Sequence, residues 1–105
     1  MTKKNENKKK EKTLIIDLSI PQDFEGEHIT QIDLSSLNEL SADDLAYCEG
    51  LFQQMGNVDP TKEFNMRYCM IVAHRATGKP LEFFNGLKAK NAIKIKTVIS
   101  NFLYD

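Results

Sequence analysis

Two histidines, two cysteines, a pair of adjacent aspartates and one Gly-Lys step are the parts of this 105-residue chain with chemistry to offer. His28 and His74 stand far apart, and His74, beside Arg75, has no second His or Cys at a ligand spacing. A zinc-type centre needs three or four converging ligands, so no metal is expected. Cys48 and Cys69 each fall among apolar residues at helical spacing, where a thiol behaves as a small hydrophobe. Both are expected to be free and buried, since a disulfide would need two helices to align closely and a reducing compartment disfavours it. Asp43 and Asp44 follow Ser41, which reads as a helix cap with Asp44 as its capping-box partner. Both acids then sit at the positive end of the helix dipole, which explains them without an acid–base role. The run ATGKP has the Gly-Lys step of a phosphate loop but lacks its first Gly and carries Pro80 where Ser or Thr belongs. Gly78 therefore reads as a helix stop. With no G-x-S-x-G and no catalytic-cysteine signature, the expectation is a protein that recognises others, with no catalytic residues, no cofactor and no metal.

Charge is segregated along the chain. Residues 1–12 carry six Lys against two Glu; residues 13–49 carry nine carboxylates and no Lys or Arg; residues 50–105 carry eight Lys or Arg against four acids. The net charge of −1 conceals this layout, which suits a charged partner surface as well as plain solvation. No apolar run approaches the roughly 20 residues that span a bilayer, so no membrane partner is expected. The start MTKKNENKKKEK lacks the apolar stretch of a secretion signal, and a cytoplasmic location is expected. Residues 1–12 are Lys-rich without an apolar anchor and read as a disordered tail. Residues 13–105 read as a single domain.

The elements that position these residues follow from periodicity. Leu14, Ile16, Leu18 and Ile20 alternate with Ile15, Asp17 and Ser19, which predicts a half-buried strand ended by Pro21. A turn with Gly26 available for positive φ leads to a second strand over 28–34, whose imperfect hydrophobic phase allows a bulge. A lone hairpin is marginal in water, so its apolar face must lie on helices or pair with another chain. From the Ser41 cap, Leu45, Cys48, Leu51, Phe52 and Met55 share one arc of a helix that stops at Gly56-Asn57. Asp59-Pro60 reads as the start of a second helix ending at Gly78. That helix is apolar over most of its circumference, which means a central position or a second contact surface. After the short LEFFNGL segment, in which adjacent Phe83 and Phe84 cannot both face one core, Asn91 reads as the cap of a last helix over 92–104. Its buried arc is Ala92, Ile95, Val98, Ile99, Phe102 and Leu103. The fold class expected is α+β: a small N-terminal antiparallel β-hairpin followed by three main helices.

The order LIIDLSIP, Gly-containing turn, ITQIDLSSLNEL, the helix start SADDL, EFNMRYCMIVAHRATG, PLEFFNGL and the closing VISNFL resembles the small tail assembly chaperones of long-tailed bacteriophages and prophages. The resemblance runs from Leu14 to Leu103; its most telling pieces are the strand-Pro-turn-strand opening, ATGKPLEFFNGLKAKNA and the NFL ending. It implies a non-enzymatic protein of the host bacterial cytoplasm, absent from the mature virion. Members of the family bind the long helical tape measure protein, keep it soluble, help to recruit tail tube subunits, and in many phages have a frameshifted longer form.

A small helical domain can receive an apolar helical stripe in a groove, and flexible Met and flat Phe side chains tolerate varied segments. The groove is expected between Met66 and Met70 of the second helix and the region of Phe83 and Phe84, with Phe52 or Met55 as walls. The acidic hairpin would face basic tape measure or tube surfaces, and its exposed edge leaves self-association open. Two other classes compete. A nucleic-acid-binding regulator would use the Lys-rich tail with Lys88, Lys90, Lys94 and Lys96, against which stand the acidic segment and the lack of a helix-turn-helix signature. A structural tail completion or connector protein would be found in purified particles. Nothing in the sequence speaks for an enzyme accessory subunit.

Overall fold

The computed structural model describes residues 14–104, so the tail expected over residues 1–12 lies outside the described residues. Strands β1 (Ile15–Phe24) and β2 (Glu27–Asp33) form a two-stranded antiparallel hairpin. A 3₁₀ turn (Ser35–Glu39) leads to helix α1 (Ala42–Gln54), and a second one (Lys62–Phe64) to α2 (Met66–Thr77). The short α3 (Leu81–Asn85) and the long α4 (Ala89–Tyr104) complete the chain. This is the expected α+β arrangement of a hairpin followed by three principal helices.

Glu25 and Gly26 form the two-residue loop of the hairpin, both at positive φ, 49° and 82°. This is the type I′ geometry, whose twist matches that of the flanking strands. Pro21 does not end β1, contrary to the reading from sequence; the strand continues to Phe24. Asp17 opposes Gln31 while Gln22 opposes Ile29, so residues 18–21 bulge out across from Thr30. Proline has no N–H to give, and a bulge asks for none. The bulge also resolves the conflicting phase, because Leu18, Ile29 and Ile32 all end up buried.

Helix α4 completes what the bulge leaves open. Asn91 was expected to cap a helix starting at residue 92; instead α4 begins at Ala89 and Asn91 is fully buried inside it. Its Oδ1 accepts the Ile20 N–H at 3.1 Å, and its Nδ2 donates to the Ile20 carbonyl at 2.7 Å and to Gln22 Oε1 at 3.1 Å. A side-chain amide thus supplies both partners that a neighbouring strand would have given. Gln22 Oε1 also accepts the Lys88 N–H at 2.6 Å, satisfying a donor at the helix entrance. Lys94 Nζ donates to the Asp17 carbonyl at 2.7 Å.

Helix α2 takes the central position. All of residues 68–73 are buried, covering every side of its middle turns. It starts at Met66 rather than at Pro60. Asp59 accepts from the Thr61 N–H and from Asn65 Nδ2, both at 2.9 Å, which closes residues 59–61 into a turn. Asn65 is the actual cap, accepting from the Arg67 and Tyr68 N–H groups at 2.8 and 3.3 Å. Gly78, at φ 78°, ends the helix as expected. Both cysteines are free and buried, Cys69 within α2 and Cys48 on α1 against it. Burial pushes the Cys48 thiol up to about 11 and raises that of Cys69 as well, so neither offers a thiolate at neutral pH. The capping box of α1 is formed: the Ser41 N–H donates to Asp44 Oδ2 at 2.8 Å, and the Asp44 N–H donates to Ser41 Oγ at 3.3 Å. Arg75 on α2 donates to Asp44 Oδ1 at 2.9 Å and lies over the Tyr47 ring at 4.3 Å, tying the first turn of α1 to α2.

Candidate functional site

Phe52, Met55, Met66, Met70, Phe83 and Phe84 are the side chains expected to receive a partner helix, and the structure separates them. Met70, Phe83 and Phe84 are sealed in the core, and Met66 is half-buried against it. The groove expected between Met66/Met70 and Phe83/Phe84 is therefore filled by the protein itself. Two adjacent helical residues diverge by about 100°, which suggested that one phenylalanine would face water. However, α3 is a five-residue helix covered on more than one side. Phe83 meets Phe24 of the hairpin edge-on at 5.3 Å, Phe84 meets Phe83 at 5.0 Å, and α3 packs on α2. Each ring so buried contributes roughly 1.5–3 kcal/mol of transfer free energy, and none of it remains for a partner.

Phe52 and Met55 lead elsewhere, to the end of α1 and the loop after it. Gly56, at φ 87°, turns the chain out of the helix. The Asn57 N–H and its Nδ2 both donate to the Phe52 carbonyl at 3.2 Å, filling an orphan acceptor of the last turn. Asp59 then fixes the far side of the loop. Besides the bonds from the Thr61 N–H and Asn65, its Oδ1 accepts from Thr61 Oγ1 at 3.1 Å. The Asn65 amide, followed by the Thr61 N–H, holds the Asp59 carboxyl below its ordinary value. Between these two anchors Val58 is 92% exposed. Met55 beside it is 45% exposed. An open pocket of 290 Å³ lies here, lined by Phe52, Gln53, Asn57, Val58, Asp59, Pro60 and Lys62. Phe52 is its buried floor; a Glu49–Lys62 ion pair at 3.9 Å stands at its rim.

Phe64, two residues beyond Lys62, is also exposed and stacks obliquely on exposed Tyr104 with ring centroids 5.3 Å apart. By spacing, Phe64 falls on one helical stripe with Tyr68 and Ile71. The 3₁₀ turn and the Asn65 cap place it outside the helix and turn it outward. Val58 and Tyr104 were not singled out from sequence. Val58 carries a signal in retrospect: it stands alone in GNVDP among turn formers, with no helical or strand period to bury it.

The other sequence candidates are absorbed by structure. His74 Nδ1 lies 2.7 Å from the Lys79 carbonyl and ties the end of α2 to the chain that follows. Lys88, Lys90 and Lys94 are exposed, but the ammonium of Lys94 is held by the Asp17 carbonyl. Among the described residues no group of three or more His, Cys, Asp or Glu is placed to hold a metal ion. No described helix is long and apolar enough to cross a membrane. Compared with known proteins, the chain matches no family model, no curated protein and no solved structure. What the arrangement can do is present apolar side chains on a loop pinned at both ends.

Proposed function

We propose that this chain is a non-enzymatic tail assembly chaperone that binds the tape measure protein of a long-tailed phage or prophage, keeps it soluble and helps to recruit tail tube subunits. The reading rests on the resemblance carried by the LIIDLSIP, SADDL, ATGKPLEFFNGLKAKNA and NFL segments. The structural observation that carries it is the exposure of Val58 on a loop that polar side chains hold in place. An apolar side chain held in water on an ordered loop costs a free protein little and gives a partner a preformed contact. Met55 and the Phe52-floored pocket widen that contact, and Phe64 with Tyr104 adds a flat aromatic neighbour. Many copies along one rod make weak individual contacts sufficient.

Co-expression with the tape measure protein tests this. The wild-type chain is expected to carry it into the soluble fraction, while Met55→Asp combined with Val58→Asp leaves it in the pellet at an unchanged melting temperature. A wild-type chain that gives no gain in solubility sinks the chaperone reading. Recovery of the chain from purified particles would make it a structural tail component instead.

A further inference from the structure

The two edges of the hairpin are treated differently. The outer edge of β1 is closed by α4, through the Asn91 amide on both backbone groups of Ile20 and Lys94 on the Asp17 carbonyl. Among the described residues the outer edge of β2 has no such cover. Five of its seven residues are exposed, and no helix packs along it as α4 packs along β1. Its bonding phase follows from two fixed points. The Leu34 N–H donates to the Leu14 carbonyl at 2.6 Å, so Leu34 and Ile32 face β1 while Asp33 and Gln31 turn their N–H and C=O groups away. The two-residue loop makes Phe24 and Glu27 the closing pair, so His28 also turns away. The phase slips by one residue at Thr30, opposite the bulge, so His28 on one side of it and Gln31 and Asp33 on the other turn their backbone groups toward a further strand.

Charge decides what that strand is. Asp17, Asp23, Glu25, Glu27 and Asp33 are all exposed on a hairpin with no Lys or Arg. A second copy brought up to this edge would bring the same carboxylates with it, and like charges brought together oppose pairing. We infer that the β2 edge binds an extended, lysine- or arginine-bearing segment of another polypeptide by strand addition, while its carboxylates reject a second copy of this chain. Backbone bonds to His28, Gln31 and Asp33 give the attachment, and the carboxylates on either side select basic side chains. This goes beyond the chaperone reading and does not depend on it: the pocket beside Val58 and the β2 edge are different surfaces.

The probe is a short capped peptide of alternating lysine and valine, added to the full chain while amide hydrogen exchange is followed by NMR. Binding is expected to slow exchange at His28, Gln31 and Asp33 and to weaken as salt rises. A glutamate-for-lysine peptide should not bind. Methylating the peptide's backbone nitrogens on one edge keeps its charge but removes the ladder donors, and should lower affinity about tenfold or more. Glu27→Lys, a change at a solvent-facing position, should weaken the lysine peptide and leave the fold intact. Equal binding of the methylated peptide, or slowed exchange elsewhere but not at the three amides, would overturn strand addition. Slow exchange there before any peptide is added would mean that a second copy or the chain's own Lys-rich residues 3–12 already occupy the edge, which would overturn it too.

Discussion

The middle of α2 and the loop between α1 and α2 both concentrate apolar side chains, and they spend them in opposite ways. Along residues 68–73 every side chain is buried, because the other helices and both 3₁₀ turns surround α2. Between Met55 and Phe64 the apolar residues Met55, Val58 and Phe64 face water, and the inward work is done by Asn57, Asp59 and Asn65, whose side chains bond the backbone or one another. An apolar stripe on a helix in a chain this small goes to the core first. Apolar side chains left facing water are found where polar groups, rather than apolar contact, hold the backbone.

The contrast breaks most sharply at the sealed end. Phe84→Ala is expected to lower stability by about 3–5 kcal/mol, read as a lower urea midpoint, and any loss of partner binding should track the unfolded fraction. If Phe84→Ala left stability intact but abolished binding, the sealed region would be the site after all. Next comes the join between hairpin and helix. Asn91→Ala strips partners from both backbone groups of Ile20 and is expected to cost about 1–3 kcal/mol, with amide exchange accelerating first in β1.

A gain is expected from the turn. Glu25→Asn keeps the left-handed backbone in a residue that tolerates it and should add about 0.5–1 kcal/mol, seen as a higher melting temperature. The smallest effect on stability belongs to the loop itself. Val58→Asp should move the melting temperature hardly at all while removing partner capture, the mirror image of Phe84→Ala.

Acid sharpens the same comparison. Asp59 is held below its ordinary value of 3.8 by Asn65 and Thr61. Its contribution is present above that value and is lost as the pH falls through the lowered one. Asp33 and Asp44 are shifted the same way, by Ser35 and by Ser41 with Arg75. Exchange at the Thr61 amide is therefore expected to stay slow at pH 4 and to rise on further acidification, while the carboxylate-free interior of α2 does not respond.

Much of this architecture can be read from local signals. The Ser41–Asp44 capping box, the Gly78 stop, the position of the hairpin and the buried Ile95–Ile99 face of α4 follow from side chains acting on their own neighbourhood. Several of the misses have one cause: distant contacts decide them. Asn91 carries a good cap signal, but the bonding needs of Ile20, far away in sequence, claim its amide. Phe83 and Phe84 break the one-face rule because α3 has neighbours on more than one side. Pro21 stops an ordinary strand but not one whose extra residues leave the ladder. Of the six residues expected to make partner contact, Phe52 is buried beneath the pocket at the end of α1 and Met55 alone is exposed. The other four were drawn inward by a core that periodicity could not enclose in advance.

The Asn91–Ile20 pairing has a consequence for synthesis. It joins positions 71 residues apart, so the first strand to leave the ribosome waits for the last helix before its outer rim is filled. Contacts of such long sequence separation form late and slowly. During that interval the nascent hairpin exposes both rims, and its dense negative charge then repels neighbouring nascent copies before the finished domain can protect itself.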